Sequence, residues 1–343
     1  MVAVQYPKPL RAGDRIEVPA PSMGVPTTLH ERLRAGAKAL TRRGFELNLR
    51  THAFIDGLVP ATAKERAEDL EAAFLGAGAV VPPWGGQLAI ELIELIEHLD
   101  WDALAAAKTW FVGWSDISTL LMPLTILTGV ATLHGANLMD EPWELPEEFQ
   151  RWTHVAGLTE GSSFTQRSAP RRRSRPWGDW NSEPLDRESA YEAPTQWRSL
   201  DGQPVHMRGR LIGGCLETVS LLAGSRYGDV SGFAQRHAPE GVIVYLESSG
   251  SDAPSVLRML LSLRLAGWFQ HASGILIGRN SAGEVSGLSQ TQAVERALGD
   301  LGIPIIFDFD IGHQPPQMPL VNGALAEVSL GDGEGVIVQH LLG

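Results

Sequence analysis

Cysteine is almost missing from this chain of 343 residues, with Cys215 the only one. That excludes a disulfide framework within the chain and a zinc site built on several thiolates. It agrees with a reducing compartment. Positive charge is also scarce. The net charge of -12 argues against a nucleic-acid partner, which usually meets a basic surface. No apolar run reaches the roughly 18 residues of a membrane span. Met1 to Gly13 has no apolar signal core, so the expected location is the cytoplasm. The ten histidines are scattered and none forms H-E-x-x-H, so neither a metal centre nor a zinc hydrolase is expected. There is no G-x-G-x-x-G segment for a Rossmann dinucleotide site and no internal repeat.

What is present is an ordinary globular composition, 43% hydrophobic and 20% charged. The length points to two domains, because single cores stop growing at roughly 250–300 residues. Strand-like and helix-like segments alternate over the first part. Strands are expected at Asp14–Ala20, Glu46–Arg50, Ala79–Val81, Trp110–Val112 and Val130–His134. Helices are expected at Thr27–Arg43, Ala61–Leu75, Leu88–His98 and Asp116–Leu127. Such alternation implies a parallel sheet covered by helices. Glu141–Pro204 breaks it. That stretch holds Trp143, Trp152, Trp177, Trp180 and Trp197, five of the ten tryptophans, and a basic run from Arg171 to Arg175. It shows no sustained period and reads as a long loop. Strand patterns resume at Val205–Ile212, Val242–Leu246, Gly274–Ile277 and Pro304–Phe307. Helices are expected near Leu216–Leu222 and at Ala253–Ala266 and Thr291–Leu298, with a terminal hairpin turning at Gly331–Gly335. The division is therefore 1–150, 151–204 as substrate loop and linker, and 205–343.

Four segments could carry chemistry. In Phe111-Val-Gly-Trp-Ser-Asp-Ile117 a strand ends at Gly113 and Ser115 stands just before a helix. A sharp turn of this kind exposes a serine oxygen, and the free N–H groups of the helix start can hold an oxyanion. Ile117 breaks the G-x-S-x-G pattern, and spacing alone does not separate this serine from a helix cap. Glu247 ends the apolar run Val242–Leu246, where ligands of open α/β sheets bind, although it could equally begin a surface loop. His313 lies in the Gly/Pro-rich stretch Asp310-Ile-Gly-His-Gln-Pro-Pro316. Imidazole is the usual general base near neutral pH, yet a lone loop histidine is often only structural. Trp84-Gly85-Gly86-Gln87 lets backbone approach a ligand, or makes a plain strand-to-helix turn.

Taken together these stretches resemble the serine LD-carboxypeptidase family, which includes the microcin-C immunity proteins. The similarity runs nearly end to end. It includes Gly13-Asp14-Arg15-Ile16, Ala20-Pro21-Ser22, Trp84-Gly85-Gly86, Gly113-Trp-Ser-Asp116, His134-Gly135, Gly213-Gly214-Cys-Leu216, Leu246-Glu247, Gly274–Arg279 and Gly312-His313. The resemblance implies a flavodoxin-like parallel-sheet N-terminal domain carrying the serine and a smaller mixed α/β C-terminal domain carrying Glu and His. Ser115 would be the nucleophile, His313 the base and Glu247 its orienting partner. The backbone N–H groups of Asp116 and Gly86 would form the oxyanion hole. Gly85, Trp114, Trp177 and Trp180 would meet the substrate. A homodimer without metal or organic cofactor is implied as well. Trp114 replaces the usual tyrosine before the serine, and Cys215 stands where an asparagine is common.

Two substrate classes fit the family: aminoacyl- or peptidyl-nucleotide conjugates, and murein tetrapeptides that lose a terminal D-alanine. Ser248-Ser-Gly-Ser-Asp252 after Glu247, and the Trp177-Gly-Asp-Trp180 stretch, resemble the first subgroup. An aromatic ring there could stack on a base, with Arg172, Arg173 or Arg175 near a phosphate. A non-catalytic module that binds a small molecule is the rival reading, because fold alone does not settle function.

Overall fold

Side-chain alternation and glycine-punctuated turns build two sheets, seen here in a computed structural model that describes residues 2–93, 101–141, 144–174, 180, 185, 191–331 and 333–343. The first sheet contains β1 (Arg15–Val18), β2 (Glu46–Leu49), β3 (Ala79–Val80), β4 (Trp110–Gly113) and β5 (Thr132–His134). All five are parallel and lie in the order β2-β1-β3-β4-β5, which is the flavodoxin-like order. Between them run helices at His30–Arg42, Ala63–Phe74, Trp101–Ala107 and Ser118–Thr128. The start of the second is fixed by a capping box. Thr62 accepts from the Glu65 N–H, and the Glu65 carboxylate accepts from the Thr62 N–H at 3.0 Å. The expected helix Leu88–His98 begins as a 3-10 turn over Ala89–Leu92, and residues 94–98 lie outside the described residues.

The stretch expected as a long loop is partly strand. It supplies β6 (Ser163–Arg167), the short ribbon pair β7 (Arg171–Arg172) and β8 (Ala193–Pro194), and β9 (Arg198–Ser199). In β6 the inward residues are Phe164 and Gln166. A buried glutamine hides the alternation from a hydrophobicity reading. Its amide is satisfied, donating to Pro319 O at 3.0 Å and accepting from the Gln150 N–H at 3.1 Å.

The second sheet is centred on four parallel strands, β10 (Val205–Cys215), β11 (Val242–Glu247), β12 (Ala272–Gly278) and β13 (Ile305–Phe309). Next come β14 (Leu320–Asn322), β15 (Leu325–Gly331) and β16 (Glu334–His340). The sheet order is β6-β16-β15-β10-β11-β12-β13-β9. β14 instead crosses to the first sheet and pairs antiparallel with β5. The all-apolar pattern of β11 follows from helices and loops covering both of its faces. The helix Ser118–Thr128 is buried along almost its whole length, and Ser118 Oγ accepts the Cys215 N–H at 3.1 Å. This bond joins the start of the helix behind β4 to the end of β10. Among the described residues no helix is long and apolar enough to cross a membrane.

A buried ion pair fixes the loop after β13. The Arg279 guanidinium pairs with Asp310 and donates to the carbonyls of Gln314 and Pro316. Asp310 also accepts from Trp197 Nε1 at 2.7 Å and from the Ala169 N–H at 2.9 Å. Removing one member of such a pair leaves an uncompensated buried charge. Asp310→Ala should therefore cost about 3–5 kcal/mol of stability, read as a lowered denaturation midpoint in urea. A loss below about 1 kcal/mol would contradict this account.

Candidate active site

The proposed triad residues and the backbone groups proposed for the oxyanion sit at or just beyond the carboxyl ends of parallel strands. Ser22 follows β1, Gly85 and Gly86 follow β3, and Ser115 follows β4. Glu247 ends β11, and His313 follows β13. Strand ends of this kind are where loops can vary around a fixed scaffold.

Ser115 has φ +60°, a left-handed conformation unusual for a residue with a side chain. The turn lifts its Oγ from the end of β4 at the first position of a 3-10 turn, Ser115–Ile117, which runs on into the helix Ser118–Thr128. Strain at a serine between strand and helix is the mark of a nucleophile elbow. The loop after β3 closes against it. A Cβ on Gly85 would lie 3.0 Å from Ser115 Oγ and 3.2 Å from Asp116 N. A Cβ on Gly86, whose φ is +152°, would lie 2.2 Å from Ser22 Oγ. Two glycines are required for this approach.

His313 reaches Ser115 from the other sheet. Its Nε2 lies 3.0 Å from Ser115 Oγ, and its Nδ1 lies 2.8 Å from Glu247 Oε2. Glu247 is 1% exposed, whereas the histidine side chain keeps 20% of its surface. Burial of the imidazole disfavours its charge, but the adjoining Glu247 carboxylate outweighs this. Glu217 and Asp140 add to the attraction, and the pKa of His313 rises above its ordinary value. The arrangement can draw a proton from the serine and stabilise the resulting imidazolium.

Trp114 is 3% exposed and packs its ring on the imidazole, with centroids 4.4 Å apart. Its Nε1 donates to Asp140 at 2.6 Å. Burial pushes the Asp140 carboxyl up to about 6, against the hydrogen bonds from Trp114 and the Asn137 N–H. The Asp116 side chain faces inward, away from the role of its N–H. It accepts from Ser22 Oγ at 2.5 Å and from the Ala89 N–H at 2.9 Å, so it ties the loops after β1, β3 and β4 together.

Trp180 stacks on Trp84 with ring centroids 6.4 Å apart, and the Arg32 guanidinium lies 3.8 Å from the Trp180 ring centroid. Trp84 adjoins Gly85, so Trp180 stands one ring away from the loop that faces Ser115. Arg173 is fully buried, and its N–H donates to Pro315 O at 2.9 Å, beside the histidine loop. Trp177 and Arg175 lie outside the described residues.

Sequence reasoning missed Asp140, Glu217, Asp310 and the role of Arg279. Glu217 sits at the start of a short helix after β10. Its carboxylate accepts from Ser248 Oγ at 2.6 Å, the Ser249 N–H at 3.0 Å and the Ser251 N–H at 3.3 Å. It thereby folds the Ser-Ser-Gly-Ser stretch back under Glu247. An acid following a Gly-Gly strand end was the only available signal.

Comparison with known proteins bears on the family and the fold. Residues 16–135 match the family described as LD-carboxypeptidase N-terminal domain, and residues 208–328 match the LD-carboxypeptidase C-terminal domain. The Microcin C7 self-immunity protein MccF of Escherichia coli is 24% identical, over 97% of this chain and 96% of its own. A structure of MccF in complex with glutamyl sulfamoyl guanosine superposes with a TM-score of 0.81. It is 21% identical and covers 98% of this chain and 99% of that one. The muramoyltetrapeptide carboxypeptidase of Oxalobacter formigenes gives a TM-score of 0.70 at 19% identity, covering 95% and 98%. These two structures share the fold of this chain.

The raised pKa of His313 fixes the sign of a pH effect. The imidazole must be neutral to accept the serine proton, so reactivity at Ser115 should climb as pH rises through a midpoint above the ordinary histidine value of about 6.5. Glu247→Gln removes the dominant attraction and should move that midpoint down. The stability contributed by the histidinium–Glu247 pair should be complete below about pH 6.5 and vanish as pH passes the folded-state value. The rate of labelling by a fluorophosphonate between pH 5 and 9 checks the first effect. An unmoved midpoint in Glu247→Gln would contradict it.

Proposed function

This chain belongs to the LD-carboxypeptidase family, and we propose that it is a serine hydrolase in which Ser115, His313 and Glu247 act as one triad. The supporting observation is the unbroken relay from Ser115 Oγ to His313 Nε2 at 3.0 Å and from Nδ1 to Glu247 at 2.8 Å. His313 takes the serine proton as Oγ attacks the carbonyl of an amide-type bond. The negative charge that develops on the carbonyl oxygen is held by the N–H groups of Asp116 and Gly86. His313 then returns the proton to the leaving amine, and water, activated by the same imidazole, releases the acyl group from Ser115. Trp114 and Asp140 position the imidazole. A binding module without chemistry would have no use for a strained serine hydrogen-bonded to a histidine.

For substrate we favour an aminoacyl- or peptidyl-nucleotide conjugate. Trp180 stacks on Trp84, next in sequence to the Gly85 that faces Ser115, and this aromatic pair is the surface we assign to a planar base. The similarity to MccF, with a structure that holds glutamyl sulfamoyl guanosine, supports the same class. The likeness to a muramoyltetrapeptide carboxypeptidase keeps the murein tetrapeptide as the alternative.

Ser115→Ala and His313→Ala should each reduce turnover by roughly 10⁴-fold or more, with the double variant little worse than either. Strictly additive losses, measured on folded protein, would argue against a triad. Offered an aminoacyl sulfamoyl adenosine and a murein tetrapeptide side by side, the enzyme should turn over the first faster. Trp180→Ala should raise KM for the nucleotide-bearing substrate by about 10-fold, in line with roughly 1–3 kcal/mol for one base–aromatic stack. Equal effects on both substrates would remove the case for stacking.

A further inference from the structure

Cys215, at the end of β10, does no work in the proposed chemistry, yet its thiol stands behind the relay. Its Sγ, a carboxylate oxygen of Glu247 and a ring nitrogen of His313 all lie within 4.8 Å of one another. Cys215 and Glu247 are each 1% exposed. Glu247 Oε2 is taken by His313, but Oε1 is buried and accepts no hydrogen bond from any described residue. A second carboxylate, Glu217, closes the far side, with the thiol donating to its Oε2 at 3.2 Å. A thiol, an imidazole and a carboxylate around one point, with a second carboxylate on the thiol, form a ligand set that suits a borderline-soft divalent cation.

We propose that this cluster is an inhibitory site for a thiophilic divalent cation of the Zn²⁺ class, held by Cys215 Sγ, Glu247 and His313 Nδ1, with Glu217 as a fourth donor. Metal–ligand bonds of about 2.0–2.3 Å place tetrahedral donors roughly 3.5 Å apart, so the His313 Nδ1–Glu247 pair at 2.8 Å has to open, and any separation near the 4.8 Å limit has to close by about an ångström. Binding expels the thiol proton to solvent and moves the imidazole proton from Nδ1 to Nε2, which leaves a thiolate, a carboxylate and a neutral imidazole on the dication. His313 Nε2 still faces Ser115, but it now carries the ring proton and has no lone pair to accept the proton of the serine. Glu247 is also drawn from its hold on Nδ1, and turnover stops. Hard cations such as Mg²⁺, which prefer oxygen donors, are not held.

The inhibition rests on the hydrolase reading; the binding does not. Two measurements on the full chain keep them apart. Co²⁺ added to the chelator-treated protein should produce an absorption band from sulfur-to-cobalt charge transfer near 300–350 nm, which Zn²⁺ displaces and Cys215→Ser lacks. Zn²⁺ should slow fluorophosphonate labelling of Ser115 at least 10-fold, Mg²⁺ should not, and chelator should restore the rate. In Cys215→Ser, which keeps a small polar side chain, Zn²⁺ sensitivity should fall by about 10-fold or more. A wild-type protein with no such band, or Cys215→Ser that is inhibited at the same Zn²⁺ concentration, overturns the site. A band in a protein that Ser115 reagents never label would uphold the site and fail the hydrolase reading instead.

Discussion

One imidazole joins the two halves of this molecule. His313 hangs from the second sheet, its Nδ1 on a glutamate of that sheet, and its Nε2 on a serine of the first. The tolerance is narrow, because a hydrogen bond weakens within a few tenths of an ångström and tens of degrees. Much of the surrounding structure can be understood as a means of holding that tolerance across a domain boundary. The Cys215 N–H on Ser118 Oγ and the crossing of β14 to pair with β5 are two of the ties between the sheets.

The loops that carry the site share a further device, a buried guanidinium. Arg66 donates to the carbonyls of Pro21 and Leu88 and pairs with Glu91, so it ties the loop after β1 to the loop after β3. Arg32 donates to Met139 O in the loop after β5, next to the Asp140 that holds Trp114. Arg279 donates to Gln314 O and Pro316 O on the loop that carries His313. All three side chains are buried. Loops at a domain boundary leave backbone carbonyls that no strand can satisfy, and a buried unsatisfied carbonyl is costly. Arginine meets several of them at once with a rigid planar fork, which lysine cannot do. The arginines serve as scaffold for the loops that hold the acids and the histidine of the proposed relay.

This division explains what could be read from the sequence. The alternation of apolar runs and helical spacing implied a parallel first sheet, because those residues are placed by burial, whereas its flavodoxin-like order was implied only by the resemblance to a known family. The triad residues were legible because Ser115, Glu247 and His313 each follow a recognisable strand and because their segments resemble a known family. Glu217, Asp140, Asp310 and the role of Arg279 were not. Each acts through partners distant in sequence, and a single buried acid or arginine has no periodic signature. β6 failed for the same reason, since its inward Gln166 is satisfied by Pro319 and Gln150, residues that no local pattern links to it.

The acids around His313 are spent unequally, and this decides how they act. The Glu217 carboxylate is consumed by three donors from Ser248, Ser249 and Ser251, besides the thiol of Cys215. Hydrogen bonds from neutral donors stabilise the carboxylate itself and dilute the field it projects. Glu217 therefore works mainly by shaping the loop beneath Glu247. Glu247 faces the opposite requirement. Its only hydrogen bond from the described residues comes from His313 Nδ1, and its other oxygen has none. A buried carboxylate with one partner gains more from that partner becoming charged than a carboxylate already satisfied elsewhere. In the proposed relay, this isolation lets it respond to a proton arriving from Ser115. A donor added at Oε1 would, in that proposed relay, make the resting site more stable and the histidinium less favoured.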